Sequence, residues 1–301
     1  MNKVNWSKII LFIIFSVFLL FLSASFIVEF GMKNSVEPER LIYTSEGKVL
    51  RPPFPSSIEH PLGTDKNGND FLFKLINGFK YTFFISAIVT LLRLMIGIVC
   101  SFAILFYLKK IKPYIETFLT PFLYVPAFIL FILLAKEEEI IINAHGEYFL
   151  IFYQIIIVSL IGFPPLLFLL IKEYEQLLNK DYVVASRLLG ANKFHLVRKQ
   201  IFPVFKRRLF IVFIQQTIAT IILLIHLGVF QIFIGGKVKG GIIGEDNKYL
   251  SNSSEWGGMI GQSILDMVHF PWLLIYPALA VIGLILLLNI MIMQLEKIYD
   301  R

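Results

Sequence analysis

Four side chains that could offer oxygen ligands to a metal ion lie together in one turn-rich stretch. They are Asp65, Asn67, Asn69 and Asp70. Calcium prefers such ligands, but the glycine and the distal glutamate of a calcium loop are not at the required spacing. We therefore expect no metal site. The same residue types build turns and helix caps, so Asp70 is predicted to cap a helix with an apolar side made of Phe71, Leu72, Leu75 and Phe79.

Three polar side chains interrupt long apolar runs and are candidates for a translocation path: Arg93, Gln215 and His226. A charged side chain inside a membrane is expensive and is a functional candidate by default. The alternative for Arg93 is a bundle-facing side chain paired with a backbone carbonyl or a tyrosine. The alternative for His226 is a satisfied packing residue, and both alternatives stay open.

Sequence patterns for catalysis are absent from the chain. There is no G-x-x-x-x-G-K-[ST], no G-x-S-x-G and no H-E-x-x-H, the patterns that would indicate nucleotide phosphate binding or hydrolysis. Cys100 is the single cysteine, so it forms no internal disulfide and is interpreted as a packing residue. We predict no catalytic residue and no directly bound cofactor.

Composition indicates a membrane protein. The 301 residues are 57% hydrophobic and only 16% charged, with a mean hydropathy of +0.75, whereas soluble chains are about 45–50% apolar. The net charge of +7 is typical of lysine and arginine in cytoplasmic loops. No aromatic and basic motif for nucleic acid is visible, so the expected surroundings are membrane lipid and no nucleic acid.

The apolar runs predict an all-α integral membrane protein with six transmembrane helices and both termini in the cytoplasm. Residues 1–81 would form an anchor helix at about 9–28 and an extracytoplasmic segment; a cleaved signal peptide is the alternative. Residues 82–301 would form a core domain with five spans, at about 83–107, 115–134, 148–171, 209–234 and 273–293.

A basic stretch between two apolar runs, Asp181 to Pro203, predicts an amphipathic hairpin of two short helices. The first helix has an apolar face at helical spacing. Gly190 can take the left-handed conformation that ends it, Asn192 can cap the second, and Pro203 is predicted to stop that one. Such a hairpin would hold a partner at the membrane surface; the alternative is a solvated loop that only fixes topology.

The hairpin sequence, DYVVASRLLGANKFHLVRKQIFP, resembles the loop of ABC importer permease subunits in the branch that imports oligopeptides, dipeptides and nickel. That branch usually carries a form close to DYVEAARALGASxxxIxxRHILPN. The departures are Val184, Ser186, Gln200 and Phe202. The matching residues are Asp181, Tyr182, Val183, Ala185, Arg187, Leu189, Gly190, Ala191, Ile201 and Pro203.

A second stretch, HPLGTDKNGNDFLFKLINGFKYT from His60, is similar to the HPLGTDxxGRDxLSRxxxGxRxSL element of the same branch. The fifth-span motif of the family, near EAxLSFLGLG, is replaced here by HLGVFQIFIGG, which leaves the substrate the least determined feature. The stretch from His60 resembles the family's extracytoplasmic motif at Gly63, Thr64, Asp65, Gly68 and Asp70.

The resemblance implies a bacterial cell-membrane permease that couples to separate ATPase subunits. Two such subunits would bind ATP and Mg²⁺. A second homologous permease would pair with this chain as a heterodimer, and an extracellular solute-binding lipoprotein would complete the importer. The implied substrate is an oligopeptide or dipeptide, with a nickel or metal chelate as the alternative. Readings outside the family are an ion-coupled secondary carrier and a non-transporting scaffold. The ATPase-coupling residues implied are Asp181, Tyr182, Ala185, Ser186, Arg187, Gly190, Ala191 and Pro203.

Overall fold

The structure is a computed structural model that describes residues 6–31, 42–43, 49–134, 138–192, 195–239 and 249–299. Its described residues are mostly helical. The described residues contain ten α-helices, which are α1 (Trp6–Gly31), α2 (Phe71–Phe106), α3 (Lys112–Leu119), α4 (Ala127–Leu134), α5 (Glu138–His145), α6 (Glu147–Leu178), α7 (Asp181–Leu188), α8 (Phe202–Val229), α9 (Trp256–Ser263) and α10 (Trp272–Tyr299).

Shorter elements complete the described chain. One antiparallel ribbon joins β1 (Ile42–Tyr43) to β2 (Val49–Leu50), and another joins β3 (Lys237–Lys239) to β4 (Tyr249–Ser251). A π-helical segment precedes α8, and two 3-10 turns follow α3 and α9. They span Leu196–Ile201, Thr120–Leu123 and Ile264–Asp266.

In the part of the chain that the structure describes, five helices are long and apolar enough to cross a membrane: α1, α2, α6, α8 with its π-helical start, and α10. Helix α1 is the shortest of these five helices and has 26 residues. At about 1.5 Å per residue that is roughly 39 Å, more than the hydrocarbon core of about 30 Å. The all-helical membrane architecture predicted from the sequence is confirmed.

The sixth crossing is a broken helix rather than the continuous one predicted at 115–134. The axes of 112–123 and 127–134 are bent by 94°. Pro121 and Pro126 explain the break, because proline lacks an N–H and restricts the residue before it. An ion pair between Lys112 and Glu175 shows that α2 and α6 end on the same side of the bundle. The chain must therefore cross back between them, and the broken α3–α4 pair provides that crossing.

Most of the long helices extend beyond the predicted spans because hydropathy marks only the apolar part of each helix, whereas α8 ends at Val229, short of the predicted 234. Helix α2 begins at Phe71 instead of 83, where the Asp70 carboxylate caps it by accepting hydrogen bonds from the N–H groups of Leu72 and Phe73. Helix α6 continues to Leu178 despite Pro164 and Pro165. The predicted cap at Asp70 is confirmed.

The prediction that Pro203 stops a helix is wrong. Pro203 lies in the first turn of α8, which continues without a break from Leu196–Ile201. The N–H of Phe202 donates to the carbonyl of Val197, five residues earlier. This wider π-type turn accommodates the ring of Pro203, which would otherwise clash with the preceding turn. The second hairpin helix is thus the start of the fifth long helix.

Three apolar clusters form the interior of the bundle. One joins α8, α9 and α10 to the start of α2 and includes Trp256 and Met259. Another joins the ends of α2 and α6 to the start of α8, around Leu170 and Phe205. The third lies between α4 and the middle of α2, α6 and α8, around Phe131 and Val158. Helices α2, α6 and α8 form the centre, and the hairpin projects from one end, which we call the hairpin end.

Candidate functional site

The first hairpin helix, α7, ends in a Schellman motif built on Gly190. The N–H of Gly190 donates to the Arg187 carbonyl at 3.1 Å, and the N–H of Ala191 donates to the Ser186 carbonyl at 3.1 Å. Gly190 has a φ of +88°, a conformation that costs a residue with a Cβ about 1–2 kcal/mol. The predicted left-handed end of this helix is confirmed.

The turn continues into a cap for the next helical segment. The side-chain Oδ1 of Asn192 accepts a hydrogen bond from the N–H of His195 at 2.7 Å, as predicted for a capping residue. Lys193 and Phe194 lie outside the described residues. Backbone hydrogen bonds before Gly190 and a side-chain cap after it therefore set the hairpin geometry.

The apolar face of α7 points away from the helix bundle. Leu188 and Leu189 are 84% and 90% exposed, and Tyr182 is also exposed. Val183 is fully buried and attaches α7 to the bundle. An apolar face that rests on one buried residue and leaves its leucines uncovered is typical of a docking surface. Asp181, Ala185 and Arg187 are exposed as well, and Ser186 is half-buried.

Arginine and glutamate side chains fix the base of the hairpin. Arg208 Nη2 in α8 lies 2.8 Å from Glu173 Oε1 in α6, and Arg208 Nη1 lies 3.7 Å from Glu296 in α10. These pairs join three helices where the hairpin leaves the bundle. They hold the ends of α6, α8 and α10 together beside α7, which follows α6 directly along the chain.

At the opposite end, Asp65 organises the turn that precedes α2. Its Oδ1 accepts hydrogen bonds from the N–H groups of Asn67 and Asn69 at 2.9 Å each. Lys74 Nζ donates to its Oδ2 at 2.8 Å. Burial raises the pKa of Asp65, but the Lys74 ammonium and the Asn69 hydrogen bonds outweigh burial and hold the pKa below its usual range. The ammonium lies where a cation would bind, so the carboxylate has a structural role.

The other residues of this motif close the same turn. Thr64 Oγ1 accepts a hydrogen bond from the N–H of Phe54 at 2.8 Å, and His60 Nδ1 lies 2.8 Å from Asp70 Oδ2. Gly63 and Gly68 have positive φ, +77° and +81°. At Gly63 a Cβ would lie 2.6 Å from the Phe54 carbonyl oxygen. The motif therefore packs one loop tightly against the start of α2.

Arg93 is 3% exposed and lies at the junction of α2, α6 and α8. Nη2 donates to the carbonyl of Val158 at 3.0 Å, and Nη1 donates to Gln216 Oε1 at 3.1 Å. The carbonyl contact is the pairing that the packing interpretation expected. Gln216 was missed as a partner, although it is a polar residue of the fifth apolar run, next to the candidate Gln215.

The structure does not bring the three path candidates together. Gln215 is half-buried beside Gln216, whereas His226 is exposed eleven residues further along α8, roughly 16 Å from Gln215. The His226 ring stacks on Phe128 at a centroid distance of 5.4 Å. A role of Arg93, Gln215 or His226 in translocation stays a prediction.

Helix α9 contacts α8 through glycine backbones, which the sequence analysis missed. A Cβ on Gly261 would lie 1.9 Å from the carbonyl oxygen of Gly228, and a Cβ on Gly228 would lie 2.1 Å from that of Gly257. Gly257 and Gly261 have the small-xxx-small spacing that permits such close approach. That spacing was the signal available in the sequence.

Two side chains beside this contact fix the start of α9. The Trp256 indole Nε1 donates to the Leu75 carbonyl at 2.8 Å, so this tryptophan is a buried packing residue. The Glu255 carboxylate accepts hydrogen bonds from the N–H groups of Gly257 and Gly258 at 2.6 and 2.5 Å. Burial raises the pKa of Glu255 to about 7, against the lowering effect of these two hydrogen bonds.

Comparison with known proteins agrees with this geometry. Residues 93–301 match the family described as binding-protein-dependent transport system inner membrane component. The chain is also 24% identical over 234 residues to the oligopeptide transport system permease protein OppC of Bacillus subtilis (strain 168), covering 78% of this chain and 69% of that protein. The chain therefore belongs to the family of binding-protein-dependent transport system inner membrane components, the multi-pass cell-membrane permeases of ABC importers.

Proposed function

We propose that this chain forms part of the translocation path of a peptide importer and couples it to ATP hydrolysis on separate subunits. Support for a peptide substrate comes from the name of its relative OppC, an oligopeptide permease protein. Support for coupling comes from α7. Its exposed leucines, held at a fixed angle by the turn at Gly190, are the observation that carries the proposal.

The mechanism is a linkage between two sites. The apolar face of α7 docks in a cleft on an ATPase subunit, where ATP and Mg²⁺ bind. Closure of two ATPase subunits moves α7, and the ion pairs of Arg208 transmit the movement to α6 and α8. A second homologous permease, paired as a heterodimer, forms the other half of the path. An extracellular solute-binding lipoprotein delivers the substrate.

The ion-coupled carrier reading gives way to the family assignment. A carrier that used Arg93 and His226 as gating charges would need both on one path, but the Arg93 side chain is buried and hydrogen-bonded to α6 and α8, and His226 lies ten residues along α8 from its partner Gln216.

Uptake into membrane vesicles that contain the whole transporter tests the proposal. Vesicles loaded with ATP should accumulate a labelled tripeptide or dipeptide, and vesicles without ATP should not. Accumulation of a nickel chelate in place of peptides would correct the substrate. If a complete, folded complex accumulates neither under ATP, the proposed transport activity is wrong and a scaffold remains.

A further inference from the structure

A cleft of about 220 Å³ opens at the hairpin end, between the end of α2, the start of α3, the end of α6 and α7. Two leucines, Leu105 and Leu178, form its apolar part. The polar part carries Lys109, Lys112 and Arg187, together with Asn179 and Glu175. Three cations and one carboxylate give the cleft two excess positive charges.

One of these cations is already compensated. Lys112 forms ion pairs with Glu175 and with Glu116, at 3.6 Å for the latter. Lys172 Nζ lies 2.8 Å from Glu116 Oε1 and 4.0 Å from Glu175 Oε2. Two lysines and two carboxylates thus balance in one network that joins α3 to α6.

Lys109 and Arg187 are the uncompensated charges. Within the described ranges, no carboxylate forms an ion pair with either of them. Both side chains are on exposed residues that line the cleft. The excess charge therefore faces the cleft and is not balanced by a carboxylate of the described residues, so it suits a ligand with a negative group.

The cleft lies where the apolar helices end, which is the level of a membrane surface. Helix α3 borders it and has two faces. Lys112 and Glu116 point toward α6, whereas Tyr114 and Phe118, also four residues apart, are 76% and 68% exposed. A short helix with an ionic face and an aromatic face is typical of the membrane interface.

We propose that this cleft binds the phosphate of an anionic phospholipid headgroup. The Arg187 guanidinium can donate two parallel hydrogen bonds to phosphate oxygens, and the Lys109 ammonium supplies a second positive charge. Leu178, which is only partly buried, contacts the first carbons of the acyl chains, and the buried Leu105 closes the apolar wall of the cleft. Basic pockets between membrane helices bind anionic headgroups in this way.

A bound lipid would have a consequence for the hairpin. Because Arg187 belongs to α7, the headgroup ties this helix to the membrane surface. The site rests on the charges and the shape of the cleft and on its position at the membrane surface, and it does not depend on the transported substrate.

Native mass spectrometry of the purified full chain, together with any subunits that copurify, tests the site with two probes. Phosphatidylglycerol carries a net negative charge, whereas phosphatidylcholine has the same phosphodiester and a cation that Lys109 and Arg187 would repel. The wild-type chain should retain phosphatidylglycerol in preference to phosphatidylcholine. Lys109→Gln should weaken that retention by about fivefold, the effect of one basic residue near an anionic surface.

Lys110→Gln is the matched control, because Lys110 is an exposed neighbour that does not line the cleft; it should retain the wild-type preference. Equal retention of the two lipids by wild type would overturn the proposal. Equal losses in Lys109→Gln and Lys110→Gln would also overturn it, because only a diffuse surface charge would then act. Displacement of phosphatidylglycerol by inorganic phosphate would assign the cleft to a soluble anion instead of a lipid.

Discussion

The guanidinium of Arg93 lies directly over Gly162, so that a Cβ built on this glycine would be 2.1 Å from Cζ of the arginine. Position 162 must therefore lack a side chain for α2 to place its charge against α6. In this position the Arg93 guanidinium donates hydrogen bonds to the Val158 carbonyl and to Gln216 Oε1. The pair explains how a buried arginine is accommodated in the middle of a membrane bundle.

Gly162→Ala should destabilise the chain. The methyl group displaces the guanidinium, and overpacking of this kind costs about 1–3 kcal/mol. Thermal unfolding in detergent measures the effect. Gly283→Ala in α10 is the matched control, because no atom lies within 4 Å of its Cβ, and it should be neutral or slightly stabilising. Equal unfolding midpoints for the two variants would contradict the seating of Arg93 on Gly162.

Glu255→Gln should remove a pH dependence of stability. Burial raises the pKa of Glu255 to about 7 in the folded chain, whereas an unfolded glutamate titrates near about 4.3. The folded state therefore binds the proton more tightly. The resulting stabilisation is complete below about pH 4.3, and on the order of 3 kcal/mol is lost as the pH rises through about 7.

Unfolding midpoints of wild type and Glu255→Gln, measured between about pH 5 and pH 8, check this expectation. Wild type should lose stability as the pH rises, and the variant should change less. Parallel curves would show that Glu255 does not titrate in this window.

Gly190→Val should abolish transport while the protein stays in the membrane. A valine resists the φ of +88° at this turn, so α7 would leave its docking angle. Gly190→Asn is the control, since asparagine tolerates the left-handed conformation and nothing lies within 4 Å of a Cβ here. Uptake of labelled peptide is the readout. Wild-type uptake by Gly190→Val would show that the turn has no role in coupling.

Leu189→Glu should weaken ATPase binding without weakening the fold. Leu189 is 90% exposed, and exposed substitutions usually change stability by no more than about 0.5 kcal/mol. A carboxylate on the docking face would have to be buried in the ATPase cleft, at a large cost. Copurification of the ATPase subunits should fall for Leu189→Glu and not for Leu265→Glu, which alters a similarly exposed leucine at the opposite end. Equal recovery in both variants would mean that α7 is not the docking face.

Local chemistry made part of the structure predictable from the sequence. Asp70 could be identified as a helix cap and Gly190 as a left-handed helix end because each depends on a few neighbouring residues. Apolar length likewise predicted the crossings, although not the ends of α2 and α6, where polar residues continue the helix outside the apolar run.

Contacts between distant segments could not be read in this way. The seat of Arg93 on Gly162 and the approach of Gly228 to Gly261 depend on how helices pack, and helix periodicity does not specify it. Pro203 was misjudged for a related reason. The rule that proline stops a helix applies to a regular α-turn. The turn before Pro203 is instead of the π type, with the N–H of Phe202 bonded to the carbonyl of Val197, so the rule does not apply there.

The most direct test of the proposed importer is a gentle detergent purification of this chain from its own membranes, with every companion identified by mass spectrometry. We expect recovery of an ATPase subunit with a phosphate-binding loop, a second permease and a solute-binding lipoprotein. Recovery of the chain alone, under conditions in which known membrane complexes stay intact, would contradict it.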